Sequence, residues 1–206
     1  MVCLDITPEA IETAVAAGAA LIVSHHAVIY KPVSRMNGLP YKLAGAGMAA
    51  IAVHTNLDKC DGGVNDILAR RLGLTDITVA QDGLCRIGTL PEGVDLPRLA
   101  EEKLGVTVRF SAGSKPVRRV AVGGGSCGEY LLKTAAQDPD IGAIVTGELK
   151  HPHWLECRAR GIAAVDAGHH PTEAVVLEPL AAILREAFPA VVWSVFDGGN
   201  VWRVRS

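Results

Sequence analysis

The chain has 206 residues, 49% hydrophobic and 20% charged, which is enough to bury a sizeable core and too apolar for disorder. Its formal charge of -2 and aromatic fraction of 4% exclude a basic field for nucleic acid or an anionic membrane, and leave little for stacking on single strands. The five cysteines are odd in number and widely spaced with no Cys-x-x-Cys pair, so neither a disulfide framework nor a thiolate zinc site is expected. Asp5, Glu9 and Glu12 interrupt the stretch where a signal peptide needs an apolar core, and no apolar run is long enough to span a membrane. The expectation is a cytoplasmic protein.

Val2 to Ile6 reads as a strand, Thr7 as a helix N-cap with Pro8 after it, Glu9 to Ala17 as a helix stopped by Gly18, and Ala20 to Ser24 as a second strand. Strand, helix and strand in so few residues make a parallel unit with a right-handed crossover. The second strand runs into His25 and His26, and two imidazoles at the end of a buried strand are metal-ligand candidates. Adjacent residues of an extended chain face opposite ways. The rings therefore converge only where the strand breaks into a loop, or each takes a different ion.

Ala27 to Tyr41 reads as a loop, with Lys31 and Arg35 on it and Lys42 just beyond. Leu43 to Ala50 reads as a helix and Ile51 to His54 as a strand that turns polar at Thr55-Asn56-Leu57-Asp58. In open parallel sheets, sites gather beyond the carboxyl ends of the strands, where His25, His26 and Asp58 all lie. Asp61 to Asp66 is a turn into a helix that ends at Gly73. Ile87 to Leu90 is strand-like, Asp95 caps a helix over Pro97 to Leu104, and Val106 to Phe110 alternates like a strand. Ser111 to Pro116 reads as a boundary between halves 1–110 and 117–206.

Val117 to Val122 reads as a strand that opens into Gly123-Gly124-Gly125-Ser126-Cys127-Gly128 before a helix from Glu129 to about Ala136. That loop could cradle a phosphate or form a tight turn, and it lacks the ending of a Walker loop. Ile141 to Val145 is a buried strand. Gly147 to His153 is a polar loop leading to a helix near Trp154, with Glu148 and His151 as candidate general acid or base. After a strand at Ile162 to Val165, Gly168-His169-His170-Pro171-Thr172-Glu173 starts a helix to about Ala187. Spacing i, i+4 puts His169 and Glu173 on one face, with His170 pointing away. Val191 to Phe196 and Val201 to Val204 read as a hairpin around Asp197-Gly198-Gly199-Asn200.

Five of these stretches, taken in order, resemble the successive motifs of the Nif-three-like family. They are Ser24-His25-His26, His54 to Asp58 followed by Gly62-Gly63-Val64-Asn65, the Gly123 to Gly128 loop, Thr146-Gly147-Glu148-Leu149, and Gly168 to Glu173. The family is also called the dinuclear metal centre or GTP cyclohydrolase 1 type 2 homologue family, and the similarity runs from the first strand to the C-terminus. It implies a single three-layer α/β/α domain with mixed sheets and internally duplicated strand-helix-strand halves, assembled as a toroidal homohexamer. The implied ligands of two metal ions are His25, His26, Asp58, His169 and Glu173, with Glu173 bridging and His54 and Thr55 beside the centre; His54 joins Glu148 and His151 as a catalytic candidate. Relative to the family the chain looks shortened before Val2. It has Ala27 where a proline is common, and His151-Pro152-His153 in place of a His-His pair.

Three imidazoles and two carboxylates suit Zn, Fe, Mn or Co, and the lack of thiolates argues against a closed structural zinc site. Five protein ligands on two divalent ions leave positions open for water, whose pKa two ions lower towards about 7. Water so activated could open the imidazole ring of GTP with loss of formate, or hydrolyse a phosphoester or amide. The alternative of a different class is a non-catalytic hexameric metal-binding or regulatory protein.

Overall fold

The computed structural model describes residues 1–201. In chain order its elements are β1 (Val2–Cys3), α1 (Pro8–Ala16), β2 (Leu21–Ser24), α2 (Gly38–Gly45), β3 (Ala49–Ala52), α3 (Thr55–Lys59), α4 (Val64–Arg71), β4 (Thr75–Ala80), β5 (Cys85–Thr89) and α5 (Leu96–Leu104). They continue as β6 (Arg109–Ser111), β7 (Arg119–Val122), α6 (Gly128–Gln137), β8 (Ile141–Thr146), α7 (His151–Arg160), β9 (Ala163–Asp166), α8 (His169–Glu173), α9 (Leu177–Ala187) and β10 (Val195–Phe196). This is a mixed α/β chain in two compact units, one of Met1–Leu57 with the described residues from Val176 onward, the other Asp58–Val175.

The first unit is built on a parallel sheet of order β10-β1-β2-β3. Its opening strand-helix-strand forms as expected, though β1 is only two residues long. Thr7 Oγ1 accepts the Ala10 N–H at 3.1 Å, Pro8 takes a first-turn position where its missing N–H is harmless, and Gly18 adopts φ +66° to end the turn. Met1, Cys3 and Ile22 of one sheet face pack with Ala10, Ile11 and Ala14 of α1 and Leu43 of α2.

Three elements of this unit lie elsewhere than the sequence suggests, and the strand expected over Ile51 to His54 runs instead over Ala49–Ala52, which leaves His54 beyond its end. The helix expected over Leu43 to Ala50 runs earlier, over Gly38–Gly45, because Pro40 fits its first turn and Gly47, at φ +63°, follows its end. Only Val195–Phe196 of the expected first hairpin arm is a strand, and it pairs in parallel with β1 through Val2↔Val195 and Cys3↔Phe196. The second arm, Val201 to Val204, lies beyond Val201 outside the described residues.

The second unit carries a mixed sheet of order β4-β5-β7-β8-β9-β6, with β7, β8 and β9 parallel and the outer strands antiparallel. Residues alternate between its faces. Val120, Val122, Ala143, Val145, Ala163 and Val165 pack with Leu68 and Leu72 of α4 and Leu96 and Ala100 of α5. Ala121, Ile144 and Ala164 pack with Leu131 and Leu132 of α6 and Cys157 of α7. Helices therefore cover both faces of this sheet, and each fully buried Ile, Val or Leu contributes about 1.5–3 kcal/mol.

The edge strand β4 is absent from the sequence reading. It is largely exposed, and its ladder to β5 shifts register between Thr75 and Thr78, with Asp76 at φ +50°, so its residues show no clean alternation. The strand expected over Val106 to Phe110 starts at Arg109, and Ser111 to Pro116 links β6 to β7 within this unit. The polar loop expected to reach His153 ends at Lys150, so His151 and His153 belong to α7. The helix expected from His169 to Ala187 is broken by a 3-10 turn at Ala174–Val176. No helix among the described residues is long and apolar enough to cross a membrane.

Candidate metal centre

In the first unit three imidazoles converge. Ligand nitrogens of His25, His26 and His54 lie within 4.8 Å of one another. The rings of His25 and His54 stack at 4.7 Å between centroids and 12° between planes, and His26 is tilted against both. The adjacent pair converges because regular extension stops at Ser24: the N–H groups of His25 and His26 bond to the successive carbonyls of Cys3 and Leu4, where a parallel ladder would use alternate residues. The Ser24 hydroxyl donates to the His26 carbonyl at 2.8 Å and holds the bend.

The tautomers are set by acceptors. Nδ1 of His25 lies 2.9 Å from the Val53 carbonyl and Nδ1 of His26 lies 2.8 Å from Asp5 Oδ1, and neither oxygen can donate. Nδ1 therefore carries the proton in both rings, and the lone pair sits on Nε2, the arrangement that metal-binding histidines adopt. His25 is buried, His26 is half-buried and His54 is exposed, with its Nδ1 3.0 Å from Thr55 Oγ1.

In the second unit Asp58 lies on α3, and its carboxylate comes within 4.8 Å of that of Glu173 on α8. His169 is held between two carboxylates, with Nε2 3.0 Å from Glu173 Oε2 and Nδ1 2.8 Å from Glu148 Oε1. The hydrogen bond to Glu173 foremost, with Glu148 adding, raises its pKa to about 9 against the opposing effect of burial. Glu148 thus orients the His169 ring. The Leu149 N–H donates to Asp166 Oδ2 at 2.9 Å and the Gly168 N–H to Asp166 Oδ1 at 3.2 Å, so buried Asp166 fixes the two segments that carry Glu148 and His169.

The glycine-rich loop turns four of its N–H groups inward rather than towards a ligand. Its N–H groups at Gly123, Gly124, Gly125 and Cys127 donate to Val145 O, Asn65 Oδ1, Thr172 Oγ1 and Thr146 Oγ1. Its glycines make room for the carboxylate instead. A Cβ on Gly125 would lie 2.9 Å from Glu173 Cδ and 3.1 Å from His169 Nε2, and one on Gly124 would lie 3.3 Å from Glu173 Cγ.

His151 stands exposed at the first position of α7. His153 accepts the Lys150 N–H at Nδ1, and Trp154 donates from Nε1 to the Leu149 carbonyl, so both are structural. His170 is half-buried on α8. Sequence reasoning missed Asp5, Asn65, Asp166 and Thr172, none of which is a ligand type in a recognisable spacing; Asn65 stands in the Gly62-Gly63-Val64-Asn65 motif. Imidazoles with Nε2 lone pairs, and carboxylates grouped around a further imidazole, form donor sets that suit borderline transition metals.

The family profile described as Duf34/NIF3 (NGG1p interacting factor 3) matches residues 1–197. The chain belongs to the Duf34/NIF3 family. It is 31% identical over 192 residues to the GTP cyclohydrolase 1 type 2 homolog of Lactococcus lactis subsp. lactis, covering 85% of this chain and 74% of that protein. It is 33% identical over 207 residues to the protein of the same name from Nostoc sp., covering 90% and 76%. A solved structure of a hypothetical Staphylococcus aureus protein superposes with a TM-score of 0.87 at 25% identity, covering 99% of this chain and 86% of that one. This Duf34/NIF3 chain thus pairs the mixed α/β fold with His, Asp and Glu groups that could hold a metal ion.

Proposed function

We propose that the chain is a metal-dependent hydrolase of the GTP cyclohydrolase 1 type 2 kind, in which His25, His26, Asp58, His169 and Glu173 hold two divalent transition-metal ions, Zn, Fe, Mn or Co. The observation that carries this is the fixed tautomer of His25 and His26, each Nδ1 proton held by an oxygen so that Nε2 keeps its lone pair. Relatives named GTP cyclohydrolase 1 type 2 homolog support the reaction class. Two ions held there would lower the pKa of a water and polarise a substrate oxygen.

The chain's own residues do the rest. The Val53 carbonyl, Asp5 and Glu148 hold the Nδ1 protons of His25, His26 and His169 and fix the ring planes. The glycine loop backs Glu173. His54, stacked on His25 and exposed, is the candidate to move a proton to or from a leaving group. The proposal includes a cytoplasmic toroidal homohexamer.

The test is elemental analysis of wild type and Glu173→Ala, followed by formate release from GTP by the reconstituted protein. About two ions per chain, falling sharply in the mutant, with metal-dependent formate release, is the expected result. Tight metal binding without turnover of GTP, phosphoesters or amides would overturn the hydrolase and leave a metal-binding assembly. Light scattering should give six times the 21.6 kDa chain mass.

A further inference from the structure

We infer that Asn65 is a positioning residue that sets the spacing of Asp58 and Glu173. The inference rests on the metal-binding reading above. Asn65 lies in the first turn of α4 and is 2% exposed, so protein groups must satisfy its amide. Its Nδ2 donates to the Asp58 carbonyl at 3.1 Å and to the Leu84 carbonyl at 3.0 Å, while its Oδ1 accepts the Gly124 N–H at 2.8 Å. The amide has one workable orientation, because a flip would set its oxygen against two carbonyls and its NH2 against an N–H.

One side chain thereby ties the residue bearing one carboxylate to the loop that backs the other. Gly124 and Gly125 lie against the Glu173 side chain closely enough that a Cβ on either would crowd it. Asp58 is fixed from its other side as well: Arg86 donates to the Lys59 carbonyl at 3.2 Å and to the Cys60 carbonyl at 3.3 Å, and Asp66 accepts the Gly62 N–H at 2.7 Å. Those bonds hold the turn after Asp58, whereas the amide of Asn65 reaches both the Asp58 backbone and the glycine loop.

The test compares Asn65→Ala and Asn65→Asp with Leu68→Ala, a truncation of a fully buried core residue on the same helix that leaves the three bonds intact. Metal affinity is measured by competition with a chelator, and amide exchange at Gly124 is followed in metal-free protein relative to amides of β8. Asn65→Ala should weaken metal binding about 10- to 100-fold, as loss of a residue supporting metal ligands does, and should speed Gly124 exchange selectively. Leu68→Ala should lower stability and do neither. Asn65→Asp keeps the acceptor for Gly124 but turns oxygen towards two carbonyls, so it should lose affinity with Gly124 still protected; if it does not fold, Asn65→Ala carries the comparison. Wild-type affinity in Asn65→Ala, or an equal loss in Leu68→Ala, would overturn the positioning role. A wild type that binds no metal would overturn the metal reading instead, and unchanged Gly124 exchange in Asn65→Ala would then overturn the clamp as well.

Discussion

On the proposed metal centre, replacing Gly125 by alanine should abolish metal binding while reducing stability no more than the same change at an ordinary left-handed glycine. Gly125 has φ +57°, and its added Cβ would lie 2.9 Å from Glu173 Cδ and closer still to Oε1. Restoring van der Waals separation needs a retreat of about 1 Å by the carboxylate. Metal sites hold their ligand distances to about 0.2 Å, so the shift is several times what a site tolerates. The backbone strain is a separate matter, of order 1–3 kcal/mol. At roughly 2–4 °C per kcal/mol for a chain of this size, that lowers Tm by about 2–12 °C. Gly105 provides the control, because it ends α5 at φ +68° with nothing within 4 Å of its added Cβ. Gly105→Ala therefore carries the strain without the push on Glu173. Both variants would be reconstituted with Zn or Mn, assayed for metal per chain and melted. Metal content equal to wild type in Gly125→Ala, or equal metal loss in both, would refute the reasoning.

His25→Ala and Asp58→Ala should each lose metal while His170→Ala keeps most of it; equal losses in all three would mean that the ligands are wrongly assigned. For Asp66, burial acts to raise the carboxyl pKa, but the Gly62 N–H and the Arg86 guanidinium outweigh it and hold the group below the ordinary range. A depressed pKa contributes stability that is complete above the unfolded value of about 3.9 and is lost as pH falls through the folded one. Asp66→Asn should therefore flatten the acid limb of a urea-midpoint profile, and an acid limb as steep as wild type would sink the attribution. Cys60 is exposed while Cys3, Cys85, Cys127 and Cys157 are buried, and burial pushes the thiols of Cys3 and Cys157 up to about 12 and about 11. One thiol per chain should react promptly with a disulfide reagent in native protein and all five after unfolding; a second fast thiol would contradict that burial.

Local signals carried the parts of the fold that depend on local chemistry. Thr7, Pro8 and Gly18 bound the first helix, and Asp95 caps α5 by accepting the Arg98 N–H at 3.2 Å. Long-range pairing left no such mark. Val195–Phe196 joins β1 across most of the chain, and nothing in its own residues distinguishes a parallel edge partner from a hairpin arm. The strand β4 was illegible because an exposed edge with a register shift has no inside face to pattern. At the site, ligand types could be read and their supports could not. Glu148 looks like any exposed loop acid until Asp166 is seen to fix the segments on either side of the His169 contact. His54 gave no sign of stacking on His25, since that contact depends on where two strands end.

The charge of the second unit's cluster bears on the order in which ligands bind. Glu148 and Glu173 flank the imidazole of His169, and the carboxylate of Asp58 lies within 4.8 Å of that of Glu173. Two like charges within 4.8 Å repel by about 3.5 kcal/mol at an effective dielectric of 20. An anionic substrate approaching that cluster meets repulsion, and the glycine loop gives no relief because its N–H groups already serve Asn65, Thr172, Thr146 and Val145. On the proposed metal centre, a divalent ion held by these carboxylates would offset their charge and supply a positive centre for phosphate. Nucleotide binding should therefore follow metal binding. In equilibrium dialysis at fixed ionic strength, metal-free protein should retain at least tenfold less GTP than the reconstituted form, and Glu173→Ala should behave as metal-free whatever metal is supplied. Equal GTP retention with and without metal would show that the phosphates are met by side chains away from this cluster, and the exposed Lys31 and Arg35 would be the first to substitute.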